Sequence, residues 1–419
     1  MATVELVFIP APGMGHLVST VEIAKQLVSR DNRLSITVLV MKWPSDKSKL
    51  SSFTQTLLLT GAEDRLRFIE LSVTETAAAE LESKPPQNTM SEFINMNKQN
   101  VRDHVGKMIS TESTRVVGFV VDMFCTPMMD VAAEFGVPSY VFFTSNATVL
   151  GLMLHMESLS PDEYRALTEL KDSDAELELP GFVNPVPVKL LPASLVEKKF
   201  EAWFMGIAKR LRETKGIMVN TFEELEPNAI SYLSGDRKCS PVYPVGPVIH
   251  IGDGNEEEAE KSREIMEWLD NQPLSSVVFL CFGSMGSFER DQLKEIAHAL
   301  ERSGHRFLWS VRRPPPKAWP MFAEQQTNAF QLVKELRVAV EIKLDYKKHF
   351  MIDSANVMLV TTEEIENVIR KMMESETESA KERKLRVKEV SEKSKAAVAE
   401  GGSSYNCIGL LIEDFMKTT

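Results

Sequence analysis

The sequence predicts an α/β protein of two domains, the first a doubly wound parallel sheet, on three observations. Short apolar runs alternate with longer amphipathic stretches through the first 240 residues, the pattern of repeated βα units. A Pro-rich and then acidic stretch, residues 241–260, reads as an interdomain linker, because Pro resists helix and an acidic run has nothing to bury. A second, shorter α/β pattern follows it. At 419 residues the chain is also too long for one typical domain.

In the first part, residues 1–240, Val4–Ile9, Leu34–Val40, Leu66–Leu71, Val116–Val121, Tyr140–Phe143 and Gly216–Val219 read as buried strands. Helical periods fill Ser19–Ser29, Met90–Ile109 and Lys198–Glu213, and Ser19-Thr-Val-Glu22 has the form of a capping box. Leu179–Pro192 reads as a strandless loop of the kind that borders a cleft. In the second part, residues 261–419, helices are expected at Lys261–Asp270, Asp291–Arg302, Ala323–Leu336, Thr362–Met373, Lys381–Ala399 and Ser403–Met416. Its strands are Val277–Phe282, with Cys281 a small core residue, then Arg306–Val311 and Val338–Ile342. Six strands against three is an imbalance, and the pattern jumps at Arg312–Trp319.

Composition narrows the function. A net charge of −12 supplies no basic footprint for nucleic acid. Four cysteines without a CxxC pair, and seven histidines without HExxH or HxxxH spacing, suggest neither a disulfide framework nor a metal site. No run approaches the roughly 18 apolar residues of a membrane span, and the N-terminus lacks the marks of a signal peptide. A cytoplasmic, monomeric protein is the expectation.

Four segments could carry chemistry. In Pro10-Ala-Pro-Gly-Met-Gly-His16, the histidine lies in a loop at the carboxyl end of the first strand, where open α/β sheets bind ligands. It could act as a general base, or only cap a helix or meet solvent there. Asp122 ends the apolar run Val116–Val121 at the same sheet edge. It could fix the tautomer of His16, or cap the helix that begins near Thr126. Gly283 and Ser284, in a strand-to-helix turn, could hold a diphosphate on backbone amides and a hydroxyl, or form a plain turn. Glu324 and Gln325 open a helix and could bond adjacent sugar hydroxyls, or serve only as a favourable acidic start.

Taken in order, "PAPGMGHL", "VVDMFC", "YVFFTS", "VYPVGPV", "EWLDNQP", "VVFLCFGSMGSF", "RFLWSVR" and "WPMFAEQQ" closely resemble plant UDP-sugar-dependent glycosyltransferases acting on flavonoids and other phenolics. The resemblance spans nearly the whole chain. It implies two facing Rossmann-like domains of GT-B type, the first taking the acceptor and the second, internally truncated, the UDP-sugar. It implies that His16 deprotonates an acceptor hydroxyl, that Asp122 orients and charge-balances it, and that transfer proceeds with inversion and without a metal. Thr144 matches a position touching the donor sugar, Gly283 and Ser284 the diphosphate turn, and Glu324 and Gln325 the pair gripping sugar hydroxyls. The co-substrate is a UDP-sugar, with glucose the family-level sugar, and no other cofactor is implied.

The departure lies between Lys317 and Trp319, where most of the donor-binding signature is missing. The tryptophan expected to stack on uracil, the ribose acid and the phosphate-side His and Asn are not there. An internal loss with intact flanks has the form of alternative splicing or a gene-model gap. The alternative that follows is a chain that binds acceptor without turning it over. A nucleotide-dependent oxidoreductase is disfavoured, since neither part has GxGxxG with an acid about 20 residues on.

Overall fold

The computed structural model describes residues 4–42, 65–74, 81, 86–110, 115–250, 256–283, 287–311, 324–344, 359–374 and 377–417. In chain order the strands are β1 (Val4–Ile9), β2 (Leu34–Met41), β3 (Leu66–Leu71), β4 (Arg115–Asp122), β5 (Ser139–Phe143), β6 (Glu176–Leu177), β7 (Val186–Pro187), β8 (Gly216–Val219), β9 (Val242–Pro244), β10 (Val277–Cys281) and β11 (Arg306–Ser310). The chain falls into two compact units: Met1–Glu157 with Met205–His250 and Lys393–Thr419, and Ser158–Phe204 with Ile251–Glu392.

The first unit is built on a seven-stranded sheet in the order β3-β2-β1-β4-β5-β8-β9, every neighbouring pair parallel. Helices covering both faces bury β1, β2, β5 and β8 along their whole length, which explains their uninterrupted apolar runs. Glu5 is the exception inside β1. Its buried carboxylate accepts hydrogen bonds from Ser35, from Thr37 at 2.6 Å and from Arg67 at 2.6 Å, so the charge is paired where it sits. Strand order reverses between β1 and β4, the switch point at which such sheets open a crevice beyond their carboxyl ends.

Several local expectations change. The first helix runs Met14–Arg30, so Ser19–Glu22 lies inside it and forms no capping box. Leu17 is buried in line with Val21, Ala24 and Val28, and that stripe pulls the helix start back toward Gly13. Glu22 instead meets Lys25 and His250, at 2.9 Å each. The Met90–Ile109 helix divides into Pro86–Met96 and Lys98–Ser110, because Asn97 Nδ2 bonds the Phe93 carbonyl and competes with the helical ladder.

The contiguous division at residues 241–260 also differs from the packing. Val242–Pro244 is the edge strand of the first sheet, and the next helix starts at Glu256. The last helix, Ser403–Lys417, belongs to the first unit. Ile408, Leu411, Ile412 and Phe415 are buried in the core beside β1 and β2 residues.

The second unit holds a parallel pair, β10 and β11, packed on the helices Arg290–Ser303 and Thr362–Met373. Val278, Leu280 and Trp309 face the helical cluster of Ile296, Leu300, Ile365 and Ile369. On the opposite face, among the described residues, side chains are exposed. Phe279 is 63% exposed and Cys281 is exposed, not a core residue as the apolar run suggested. A continuous apolar run predicts burial only where both faces of the sheet are covered. The expected strand Val338–Ile342 does not form either. The helix Gln325–Phe330 passes into a wide turn, Gln331–Glu335, after which the Val338 and Ala339 amides both close onto the Leu332 carbonyl. Within Leu179–Pro192, Val186–Pro187 pairs antiparallel with Glu176–Leu177, so that loop is not wholly strandless.

Among the described residues, no helix is long and apolar enough to cross a membrane.

Candidate active site

The site grows out of the switch point. β1 ends at Ile9 and the chain turns through Gly13, the residue ahead of the first helix. His16 therefore sits in the first turn of that helix and not in the loop, with its carbonyl accepting the Thr20 hydroxyl at 2.8 Å. Neighbouring β4 ends at Asp122 in a parallel register that pairs Ile9 with Val121, which brings the two side chains to one edge.

His16 Nδ1 lies 2.7 Å from Asp122 Oδ2, with the imidazole 29% exposed and the carboxyl fully buried. The other carboxyl oxygen, Oδ1, accepts the Phe124 amide at 2.9 Å and caps the short turn Met123–Met128. Both roles weighed for Asp122 from the sequence are thus held at once, one by each oxygen. The carboxyl partner assigns the ring proton to Nδ1 and leaves the lone pair on Nε2. Thr144 follows β5, the next strand across, and its Oγ1 is 3.1 Å from the same Nδ1. Phe124 meets the imidazole edge-on at 5.5 Å between ring centres. The Cys125 thiol behind it is completely enclosed, and burial, helped by the nearby Asp122 charge, pushes it well above the usual thiol range.

The structure thus brings His16, Asp122 and Thr144 together. Gly283, Glu324 and Gln325 belong to the second unit. Gly283 closes β10 with φ of +75°, the left-handed region that favours glycine, and Ser284 lies outside the described residues. Glu324 precedes the helix Gln325–Phe330, and its carbonyl accepts the Thr327 hydroxyl at 2.8 Å and the Asn328 amide at 2.9 Å. Glu324 and Gln325 are partly exposed, whereas Gln326 and Thr327 behind them are buried. A cavity of about 690 Å³ also lies in this unit, lined by Glu176, Asn184, Lys189, Phe330, Arg337 and Leu344 among others.

The resemblance names Thr144 for the donor sugar but gives no sign of its contact with His16, nor of the helix cap supplied by Glu226. The Thr144 contact with the imidazole is a consequence of strand order, which no local motif encodes. Glu226, whose buried carboxylate caps the helix after Thr144, shows in the sequence only as an acid before a proline.

Residues 16–321 match the family described as UDP-glucoronosyl and UDP-glucosyl transferase. The chain belongs to that family. It is 43% identical to UDP-glucose flavonoid 3-O-glucosyltransferase 6 of Fragaria ananassa, over 99% of each chain, and 42% identical to UDP-glycosyltransferase 71E1 of Stevia rebaudiana, over all of each. Its structure resembles that of Medicago truncatula UGT71G1 complexed with UDP-glucose, with a TM-score of 0.83, 34% identity and coverage of 100% of this chain and 99% of the other. A transferase from Siraitia grosvenorii in complex with UDP gives a TM-score of 0.80 at 36% identity, covering 99% of this chain and 100% of the other. These likenesses make it a plant UDP-glycosyltransferase of GT-B type. It is also a shortened one. The Fragaria alignment has 490 positions and the chain 419 residues, so at least 71 positions (490 less 419) have nothing opposite them here.

Proposed function

We propose that this chain derives from an inverting glycosyltransferase that moves a sugar, glucose in our reading, from a UDP-sugar to a hydroxyl of a plant phenolic or flavonoid in the cytosol. The observation that carries the proposal is the 2.7 Å contact between His16 Nδ1 and the fully buried Asp122 carboxyl. In this reading Nε2 of His16 takes the acceptor's hydroxyl proton, and Asp122 balances the imidazolium that forms. The acceptor oxygen attacks the anomeric carbon from the face opposite the diphosphate. A new C–O bond forms, the bond to UDP breaks with its electron pair, and the configuration inverts. Thr144 would touch the donor sugar, Gly283 and Ser284 the diphosphate, and Glu324 and Gln325 the sugar hydroxyls. The unit built on the seven-stranded sheet would serve the acceptor, and the unit that holds β10 and β11 the donor. The Fragaria relative is named for glucose transfer to a flavonoid and the Medicago structure holds UDP-glucose, which supports both substrate classes.

The shortened chain bears on rate. We place the missing positions between Lys317 and Trp319, inside the donor half. Each lost stacking or charge-assisted contact is worth roughly 1–3 kcal/mol, and several together amount to orders of magnitude in donor affinity. The test compares this chain with one carrying the relatives' segment at that junction, both given UDP-glucose and a flavonol, with UDP release and glucoside measured. The restored chain should be faster by at least about a hundredfold, and its His16→Ala form inactive. Undiminished turnover by the His16→Ala form would remove the proposed base. Equal turnover by both lengths would overturn the account of the donor half. Acceptor binding by this chain without product is the outcome expected of the binding-only alternative.

A further inference from the structure

We propose that Glu226 is a positioning residue for the His16 site, acting through the helix Ala147–Ser158 that begins just after Thr144. The inference rests on the reading of His16 and Thr144 given above. Glu226 is 6% exposed and lies 78 residues along the chain from Thr148, which it caps. One carboxylate oxygen accepts the Ala147 amide at 3.0 Å; the other accepts the Thr148 amide at 2.9 Å and the Thr148 hydroxyl at 2.7 Å.

A helix start leaves its first amides without helical partners, and a local side chain usually takes one of them. Here Asn146 supplies that local cap, its Oδ1 accepting the Val149 amide at 2.9 Å and its carbonyl the Leu150 amide at 3.2 Å. Glu226 takes the two amides that Asn146 does not. With the amides of residues 147–150 all bonded, residues 144–146 have little freedom between β5 and the helix. Thr144 Oγ1 is consequently held 3.1 Å from His16 Nδ1, beside the Asp122 oxygen on the same nitrogen.

Glu226 is itself anchored. It follows β8, the hydrogen-bonded neighbour of β5, and its carbonyl accepts the Ile230 amide at 3.1 Å in the start of the helix Pro227–Gly235. A negative group at a helix start also suits the local field. Any helix cap could serve for stability alone. What distinguishes Glu226 is that the segment it pins carries the second partner of the imidazole nitrogen, so its loss is predicted to be felt at His16.

The experiment reads the imidazole and not turnover, so failure of the transferase reading and failure of this proposal are separable. The full chain is made with nitrogen-15-labelled histidine, and the His16 ring signals among the seven histidines are assigned by loss in His16→Gln. Thr144→Val should shift the His16 ring resonances. Glu226→Ala should shift the same resonances in the same direction, and the Glu226→Ala/Thr144→Val double variant no further than Thr144→Val alone. Should Glu226→Ala fail to fold, Thr148→Val removes one of the three donors to the carboxylate and should give a smaller shift of the same signals. The proposal is overturned if the Glu226 and Thr148 variants leave His16 unmoved while Thr144→Val shifts it, or if the effects of Glu226 and Thr144 simply add.

Discussion

Asp122 divides its two carboxyl oxygens, giving Oδ2 to His16 Nδ1 at 2.7 Å and Oδ1 to the amide of its own turn at 2.9 Å. The arrangement separates two consequences of substitution. Asp122→Asn keeps an oxygen for the Phe124 amide but can present an NH₂ group to Nδ1, which favours the wrong tautomer. Turnover of the segment-restored chain should fall about a thousandfold or more, while its melting temperature changes little. Asp122→Ala removes the cap as well and should cost about 1 kcal/mol of stability in addition. Glucoside formation and thermal unfolding of the two variants measure these effects separately.

The last helix behaves as part of the first unit's core, which makes it a target for a stability test. Phe415 is fully buried, its ring edge-on to Tyr140 of β5 at 4.7 Å, and the Tyr140 hydroxyl bonds Asp414 at 2.8 Å. Phe415→Ala should destabilise the first unit by about 3–5 kcal/mol. Hydrogen exchange should accelerate in β4 and β5 and remain unchanged in β10 and β11. Faster exchange confined to the second unit would show that the helix had been placed in the wrong unit.

Much of the first unit was legible because its strands are buried on both faces and its helices carry continuous apolar stripes. The Val116–Val121 run followed by an acid located the end of β4, and the glycines after Ile9 located the turn into the first helix. Two things were not legible. The start of that helix depends on Leu17 finding a buried place, which is a tertiary fact. The meeting of Thr144 and Glu226 with the site depends on β5 and β8 being neighbours, and spacing along the chain does not encode that. In the second unit the strand Val277–Cys281 forms as expected, but the burial expected of Cys281 and the strand expected at Val338–Ile342 do not. An apolar run reports burial only where both faces of the sheet are covered, and Cys281 and Phe279 of β10 are exposed.

Acid should loosen the first unit through its paired carboxylates. Asp31 is held below its usual range by the Arg33 guanidinium, bonded at 2.6 Å, against a smaller opposing effect of burial. Burial pushes Asp236 up, but hydrogen bonds from Arg212 and the Lys238 amide, with the Arg212 charge, outweigh it and leave the carboxyl lowered. A lowered folded-state value means that the stabilisation is fully present above the unfolded carboxylate value of about 4 and is lost as pH falls through the folded one. The denaturant midpoint should therefore hold from neutrality to about pH 5 and decline below about pH 4. Asp236→Asn should begin from a lower plateau and decline less steeply.

The uncovered face of β10 can be probed through its cysteine. Cys281 is exposed, while Cys125 is enclosed beside Asp122 and pushed well above the usual thiol range by burial. Burial likewise pushes Cys239 and Cys407 up to about 11 each. Only the thiolate reacts with an alkylating agent, so access and acidity act together. At neutral pH, iodoacetamide should label Cys281 first in the native chain, with Cys125 last and labelled only on unfolding. The residue then reports on the missing segment. If the absent positions include strands and a helix that cover this sheet, restoring them should slow Cys281 labelling by at least about tenfold while Cys125 stays protected. Unchanged labelling in the restored chain would mean that the open face belongs to the fold itself and that the missing positions lie elsewhere.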